Sequence, residues 1–203
     1  MSFREYNVIF WIAVGILALI VASPALSRLL VYPRTQFFTE LWILGPNHMA
    51  GEYPYNVSRN QNCSIYLGLA NHLGYCAYYL VEVKFRNESQ PEPSSFGPIG
   101  NRTPSSLPSL FSFSAFVADE QVWEKPLAFS LDYGYNQGFS RIEYHSMKFN
   151  DVVLDLSRYS SAWNSTRSEF RGDLLFEAWV YNASLGDFQY HERFVSLRLN
   201  VTA

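Results

Sequence analysis

The chain has 203 residues, a formal net charge of −3 and 48% hydrophobic residues, with 14 Tyr and 16 Phe. That composition excludes a disordered chain, and the small charge without a basic patch excludes a nucleic-acid partner. The abundance of aromatic residues favours strands over helices.

Residues 1–7 read as a cytoplasmic N-terminus. Residues 8–26, starting VIFWIAVGILALIVA, carry no charge. A membrane crossing needs about 20 mainly apolar residues, so the stretch is predicted to be one transmembrane helix in contact with lipid. Tyr6 and Trp11 suit an interface. The rival reading is a signal peptide, with Ser23-Pro24-Ala25 as the cleavage site. The long apolar run and the weak n-region, where Glu5 offsets Arg4, favour the uncleaved anchor. Arg4 on one side and Arg28 and Arg34 on the other leave the positive-inside rule near a tie.

Orientation is argued instead from glycosylation acceptors. Asn-x-Ser/Thr occurs at Asn56, Asn62, Asn87, Asn101, Asn164, Asn182 and Asn200. Chance would give roughly two in a chain of this composition. The excess predicts a glycosylated surface outside the cell, hence a single-pass protein with its C-terminal domain extracellular.

Residues 27–35 form a connector, and residues 36–203 are predicted to be one extracytoplasmic domain. Gln36 to Leu44 is the first strand, with Phe37, Leu41 and Ile43 on one face. Ala50 to Gln61 is a loop. Asn62 to Phe85 reads as a hairpin around Asn71-His72-Leu73-Gly74. In it Cys63 joins the apolar face of Ile65, Leu67 and Leu69, while Cys76 falls opposite that of Tyr79, Val81, Val83 and Phe85. The two thiols are therefore expected to remain unbonded.

Residues 87–108, rich in Pro and Ser, are predicted to be an exposed loop. Leu110–Val117, Leu127–Leu131, Val152–Leu156, Leu174–Tyr181 and Val195–Val201 show strand character. Tyr133–Gly138 reads as a turn cluster, Tyr159–Arg171 as polar, and Phe139–Phe149 is ambiguous. Seven or eight strands without a soluble helix predict an all-β, Ig-like antiparallel two-sheet β-sandwich behind the helix.

The runs Phe38-Thr39-Glu40-Leu41-Trp42-Ile43-Leu44-Gly45-Pro46, Tyr53-Pro54, Tyr66-Leu67-Gly68-Leu69-Ala70-Asn71-His72 and Val122-Trp123-Glu124-Lys125-Pro126 resemble a family of uncharacterised archaeal membrane proteins, domain of unknown function 1616. The resemblance covers most of the chain after residue 36. It implies an archaeal, extracytoplasmic setting, with several membrane helices common ahead of the domain where this chain shows one. Residues 87–108 and 141–171 look longer than usual for the family. It supplies no activity and no functional residues.

The residues themselves give no enzyme signature: no P-loop, dinucleotide fingerprint, nucleophile elbow or zincin motif. His48, His72, His145 and His191 lack metal spacing, and His191 reads as a surface pair with Glu192. Asp119, Glu120 and Glu124 lack the Asp-x-Asp-x-Asp-Gly calcium pattern. Asp151 and Asp155 read as solvated. No catalytic residue, metal or cofactor is expected. Trp42, Trp123, Trp163 and Trp179 fit a core better than a sugar platform, except Trp163, which stands in a polar segment as a possible sugar-stacking residue. The expected function is a non-catalytic, membrane-anchored cell-surface module acting through contacts with other envelope proteins. The alternatives are a carbohydrate-binding module for envelope glycans and, third, an enzyme of glycan metabolism.

Overall fold

The computed structural model describes residues 3–29, 37–94 and 100–202. The chain divides into two compact units, Met1–Gln36 and Phe37–Ala203. The first holds helix α1 (Phe3–Leu29). Phe10, Trp11, Ile12, Val14, Ile16, Leu17, Leu19, Ile20 and Val21 are all exposed, so among the described side chains the helix is apolar all round and shows no buried stripe. Among the described residues, no helix is long and apolar enough to cross a membrane. Residues 30–35 of the expected connector at 27–35, and residue 36 at the start of the expected first strand, lie outside the described residues.

The second unit is mostly strand: β1 (Phe38–Leu44), β2 (Asn56–Val57), β3 (Cys63–His72), β4 (Ala77–Asn87), β5 (Phe111–Val117), β6 (Val122–Asn136), β7 (Arg141–Phe149), β8 (Val152–Asp155), β9 (Ser160–Asn164), β10 (Glu169–Asn182) and β11 (Asp187–Val201). One limb of the sheet runs β1-β3-β6-β7, with β8 and β9 added beside β7. The other runs β2-β11-β10-β4-β5. Strand β9 pairs with both β7 and β10, which joins the limbs into one curled sheet. All ladders are antiparallel except β2 with β11.

The inner faces of the limbs share one core, built by period-two alternation. Ile65, Leu67, Leu69, Leu127, Phe129, Leu131, Ile142, Met147 and Phe149 come from one limb. Tyr79, Val81, Val83, Phe85, Leu174, Phe176, Ala178, Leu197, Leu199 and Val201 come from the other.

The expected hairpin at 62–85 is not one. Strand β3 pairs with β1 and β6, whereas β4 pairs with β5 and β10, so the chain arches from limb to limb between them. Asn71 fixes the arch. Its buried amide donates to the carbonyls of Tyr75 and Val117, and its oxygen accepts from Leu73 N–H and the Tyr79 hydroxyl. Gly74 takes a positive φ of 81° there. The turn residues marked the reversal but not the ladder each strand would join. Both cysteines are free, Cys63 buried and Cys76 exposed. What separates them is the length of β3, about 30 Å, rather than the two faces of one hairpin.

Other expectations shift at element ends. Among the described residues, eleven strands stand where seven or eight were predicted, because short β2 and β9 arise inside segments read as loop or polar and β7 inside the stretch left ambiguous. The ambiguous stretch 139–149 contains β7. Strand β6 runs through the expected turn at Tyr133 to Asn136, with a bulge at Asp132/Tyr133. In β1, Leu41 and Ile43 meet the core, but Phe37 is 63% exposed. Thr39 is buried instead, hydrogen-bonded to the Tyr79 hydroxyl at 2.7 Å.

The motif glycines have steric reasons. A Cβ on Gly68 would lie 2.2 Å from the indole of Trp42, its partner across the β1–β3 ladder. One on Gly45 would lie 2.1 Å from the Gly51 carbonyl oxygen.

Candidate functional site

The outer face of β5-β4-β10-β11 carries two different side-chain populations in one alternating pattern. Along β4 the outward positions are Tyr78, Leu80, Glu82, Lys84 and Arg86; along β10 they are Asp173, Leu175, Glu177, Trp179 and Tyr181, in register with them.

At one end the outward residues are charged and buried. Lys84 is 3% exposed and Glu177 0%. The Lys84 ammonium lies 2.8 Å from Glu177 and 3.1 Å from Glu82, and it donates to the Ser105 carbonyl at 3.0 Å. Ser105 N–H donates to the second Glu177 oxygen at 2.8 Å. Arg86 donates to Asp173 at 2.8 Å and to the Gln90 carbonyl, and it pairs with Glu92 at 3.0 Å. Arg171 also holds Asp173, at 2.7 Å. Burial pushes the Glu177 carboxyl above its usual value, against the opposing pull of Lys84 and Ser105 N–H.

These contacts correct the picture of residues 87–108 as an exposed loop. Gln90, Glu92 and Ser105 bind the sheet, and Pro93 and Ser105 are buried. Residues 95–99 of the segment lie outside the described residues.

At the other end the outward residues are aromatic, with Phe116 and Tyr181 exposed and Tyr78 and Phe188 half-buried against them. Tyr78 stacks on Phe116 at 4.3 Å between centroids and 17° between planes. Phe188 lies 5.2 Å from Tyr78 and 5.4 Å from Tyr181, so the row spans all four strands. Phe116 is 75% exposed. Beside the row is a hollow of about 550 Å³, lined by Tyr75, Cys76, Tyr190 and His191 among others and by no Asp, Glu, Lys or Arg. Burial, helped by Arg193, lowers the His191 pKa.

The residues singled out from sequence are spread over both limbs. Asn56, Asn62 and Asn101 are exposed, while Asn87, Asn164, Asn182 and Asn200 are half-buried. The amide nitrogens of those four donate to the Ser160 carbonyl, Glu88, Gln189 and Asn56 respectively. Asn56 and Asn200 are register partners on β2 and β11. Trp163, 46% exposed, is steadied edge-on by Phe170 at 4.9 Å. It lines a polar hollow of about 280 Å³ with Asn87, Arg141, Ser160 and Arg171.

The acidic cluster disperses into separate pairs. Asp119 accepts from Gly74 N–H, Glu120 meets His72 at 3.0 Å, and Glu124 meets His48 at 3.3 Å. Among the described residues, no three His, Cys, Asp or Glu side chains gather as metal ligands. His191 is not a surface partner of Glu192. It is half-buried, edge-on to Tyr79, while Glu192 accepts from Gly100 N–H.

Sequence reasoning missed both the aromatic row and the ionic network. Tyr78, Tyr181 and Phe188 stand out of phase with the core pattern, which was the available signal for the row. Nothing local marks Lys84 and Glu177 as covered, since outward charges ordinarily face water.

A family described as Domain of unknown function (DUF1616) matches residues 33–165. No curated protein matches the chain. Solved structures resemble it only distantly. A chain from the complex of Zinc 2-glycoprotein and Prolactin inducible protein from human seminal plasma shares 9% identity at a TM-score of 0.37, covering 83% of this chain and 98% of that one. A beta-glucosidase from Listeria innocua in complex with glucose shares 10% at 0.36, covering 85% of this chain and 17% of the enzyme. The PapD-like domain 7 of human CEP192 shares 10% at 0.28, covering 86% and 92%. At such TM-scores none of these likenesses bears on function.

Proposed function

This chain belongs to the DUF1616 family, and we propose that it is a non-catalytic recognition module, held in a cell membrane by the helix at 8–26 and displayed outside the cell. It acts through contacts with other envelope proteins. The observation that carries this reading is the open aromatic row of Phe116, Tyr78, Phe188 and Tyr181. Aromatic side chains that remain exposed in a contiguous patch are the usual anchors of a protein interface. The rigid neighbouring network keeps that surface pre-formed.

Three further features support the reading. The all-round apolar surface of α1 suits lipid. None of the seven sequon asparagines is buried, which suits a glycosylated exterior. The ladder order suits an Ig-like sandwich, with β1, β3 and β6 as strands A, B and E, and β5, β4, β10 and β11 as C′, C, F and G. Strands β7 to β9 would then be an insertion between E and F.

The test is recovery of bound proteins with the full chain from native membranes in mild detergent. Phe116→Ala and Tyr181→Ala should each deplete a specific partner; unchanged recovery from both would sink the reading. Protease on intact cells should remove the domain and leave a stub, and native peptides should carry glycans at several of the seven sites.

A second reading, glycan binding, is favoured by the half-exposed Trp163 beside the polar hollow with Arg141 and Asn87. Binding to an envelope glycan that is lost in Trp163→Ala and retained in Phe116→Ala would prefer it.

A further inference from the structure

Among the described residues, four strands pair on one side only: β1, β2, β5 and β8. A free edge is a template for another strand, and proteins ordinarily blunt it with charge, brevity, Pro or a cover. Three of the four are blunted. Strand β1 carries Glu40, and its backbone is engaged by Arg193, which donates to the Thr39 carbonyl, and by Tyr53, which donates to the Ile43 carbonyl. Strand β2 has only two residues. Strand β8 has four residues, ends in Asp155 and follows Asp151.

Strand β5 is protected only at its first residue, where the Ser109 hydroxyl donates to the Phe111 carbonyl at 3.0 Å. It reads FSFSAFV over seven residues, with no charge, Pro or Gly, and its register with β4 is unbroken. Lys125 contacts it only from the core side, through the ring of buried Phe113 at 4.9 Å. Ser112, Ser114 and Phe116 face outward and are exposed.

We infer that this edge pairs with β5 of a second copy of the chain, antiparallel about a two-fold axis near Ser114. The sequence is complementary to its own reversal. Full overlap sets Phe111 opposite the other copy's Val117, Ser112 opposite Phe116, Phe113 opposite Ala115, and Ser114 opposite itself. Each large side chain meets a smaller one, and no like charges meet. The pairing is isologous, as a closed dimer requires. It puts the two aromatic rows on the same face of one extended ladder, offset along the strands because each Phe116 meets Ser112 of the other copy. This inference goes beyond the proposed function and does not depend on α1, the glycans or the identity of a partner.

The test is sedimentation of the full chain in detergent micelles over a range of concentrations, with two variants. Wild type should dimerise. Ser114→Lys, at an exposed position, sets two ammonium groups face to face and should weaken dimerisation about tenfold or more without moving the thermal midpoint. Ser114→Cys in a Cys76→Ser background should form a covalent dimer under mild oxidation, because directly opposed Cβ atoms lie about 5 Å apart. A wild type that stays monomeric overturns the inference and leaves the edge to a strand of another protein. A Ser114→Lys variant that dimerises like wild type overturns it too, by placing association elsewhere, α1 included. So does a dimer in which Ser114→Cys fails to cross-link.

Discussion

The two ends of the outer face of β5-β4-β10-β11 start from the same rule and finish differently. On both, alternation turns every second side chain away from the core. At one end those side chains are Lys84, Arg86, Asp173 and Glu177, and Gln90, Glu92 and Ser105 bind over them. At the other they are Phe116 and Tyr181, which are exposed, and Tyr78 and Phe188, which are half-buried against them. The polarity expected of solvent and interior is thus inverted: the charges are covered and the rings exposed. Covered charges demand complete pairing, so they specify one position for the covering segment. Exposed rings demand nothing from the fold and are available to a partner.

The comparison breaks most visibly at Lys84. Lys84→Met leaves the Glu177 carboxylate buried without its cation, and unfolding by urea should show a loss of about 3–5 kcal/mol at neutral pH. A loss below about 1 kcal/mol would mean that the covering segment is not fastened by this network. The pH dependence sharpens the same point. Burial raises the Glu177 pKa, so the folded chain holds that proton more readily than the unfolded chain does. Its contribution is full below the unfolded pKa and is lost as pH rises through the folded one. Removing Lys84 raises the folded pKa further. The Lys84→Met defect should therefore shrink on acidification, and Glu177→Gln in that background should abolish the shrinkage.

At the aromatic end the effects should separate. Phe116→Ala should cost binding about 2 kcal/mol, read as loss of a co-purifying partner, yet change folding stability by no more than about 0.5 kcal/mol. A smaller effect is expected where charges are paired but uncovered. Arg59 donates to Asp132 at 2.7 Å and holds its carboxyl below the usual value, with both side chains partly exposed. Arg59→Ala should cost below about 1 kcal/mol, and less in high salt.

The difference between the two ends also explains what the sequence disclosed. The β-rich class, the core phases of β3, β4 and β6 and the last strand were legible, because alternation reports burial directly. Residues Leu41, Gly45, Gly68 and Asn71, which carry the family resemblance, proved to hold the core, two close backbone approaches and an arch. They are scaffold, and this is why no activity could be read from them. The arch at Asn71 was misread as a hairpin because a reversal looks the same whether or not its strands pair. Lys84 and Glu177 were unreadable as buried, because their cover comes from a remote segment. Trp163 was singled out because it stands in a polar segment, whereas Tyr78 and Phe188 passed as ordinary strand aromatics.

The central claim is that the open row recognises a partner and the covered network only supports it. The most direct measurement compares Phe116→Ala/Tyr181→Ala with Lys84→Met in the full chain, reading thermal midpoint and partner recovery from native membranes together. The account predicts an unchanged midpoint with partner recovery reduced about tenfold or more in the first variant. In the second it predicts a lowered midpoint, with partner recovery retained by the fraction that remains folded. A first variant that binds like wild type, or that loses its partner only by losing its fold, would contradict it.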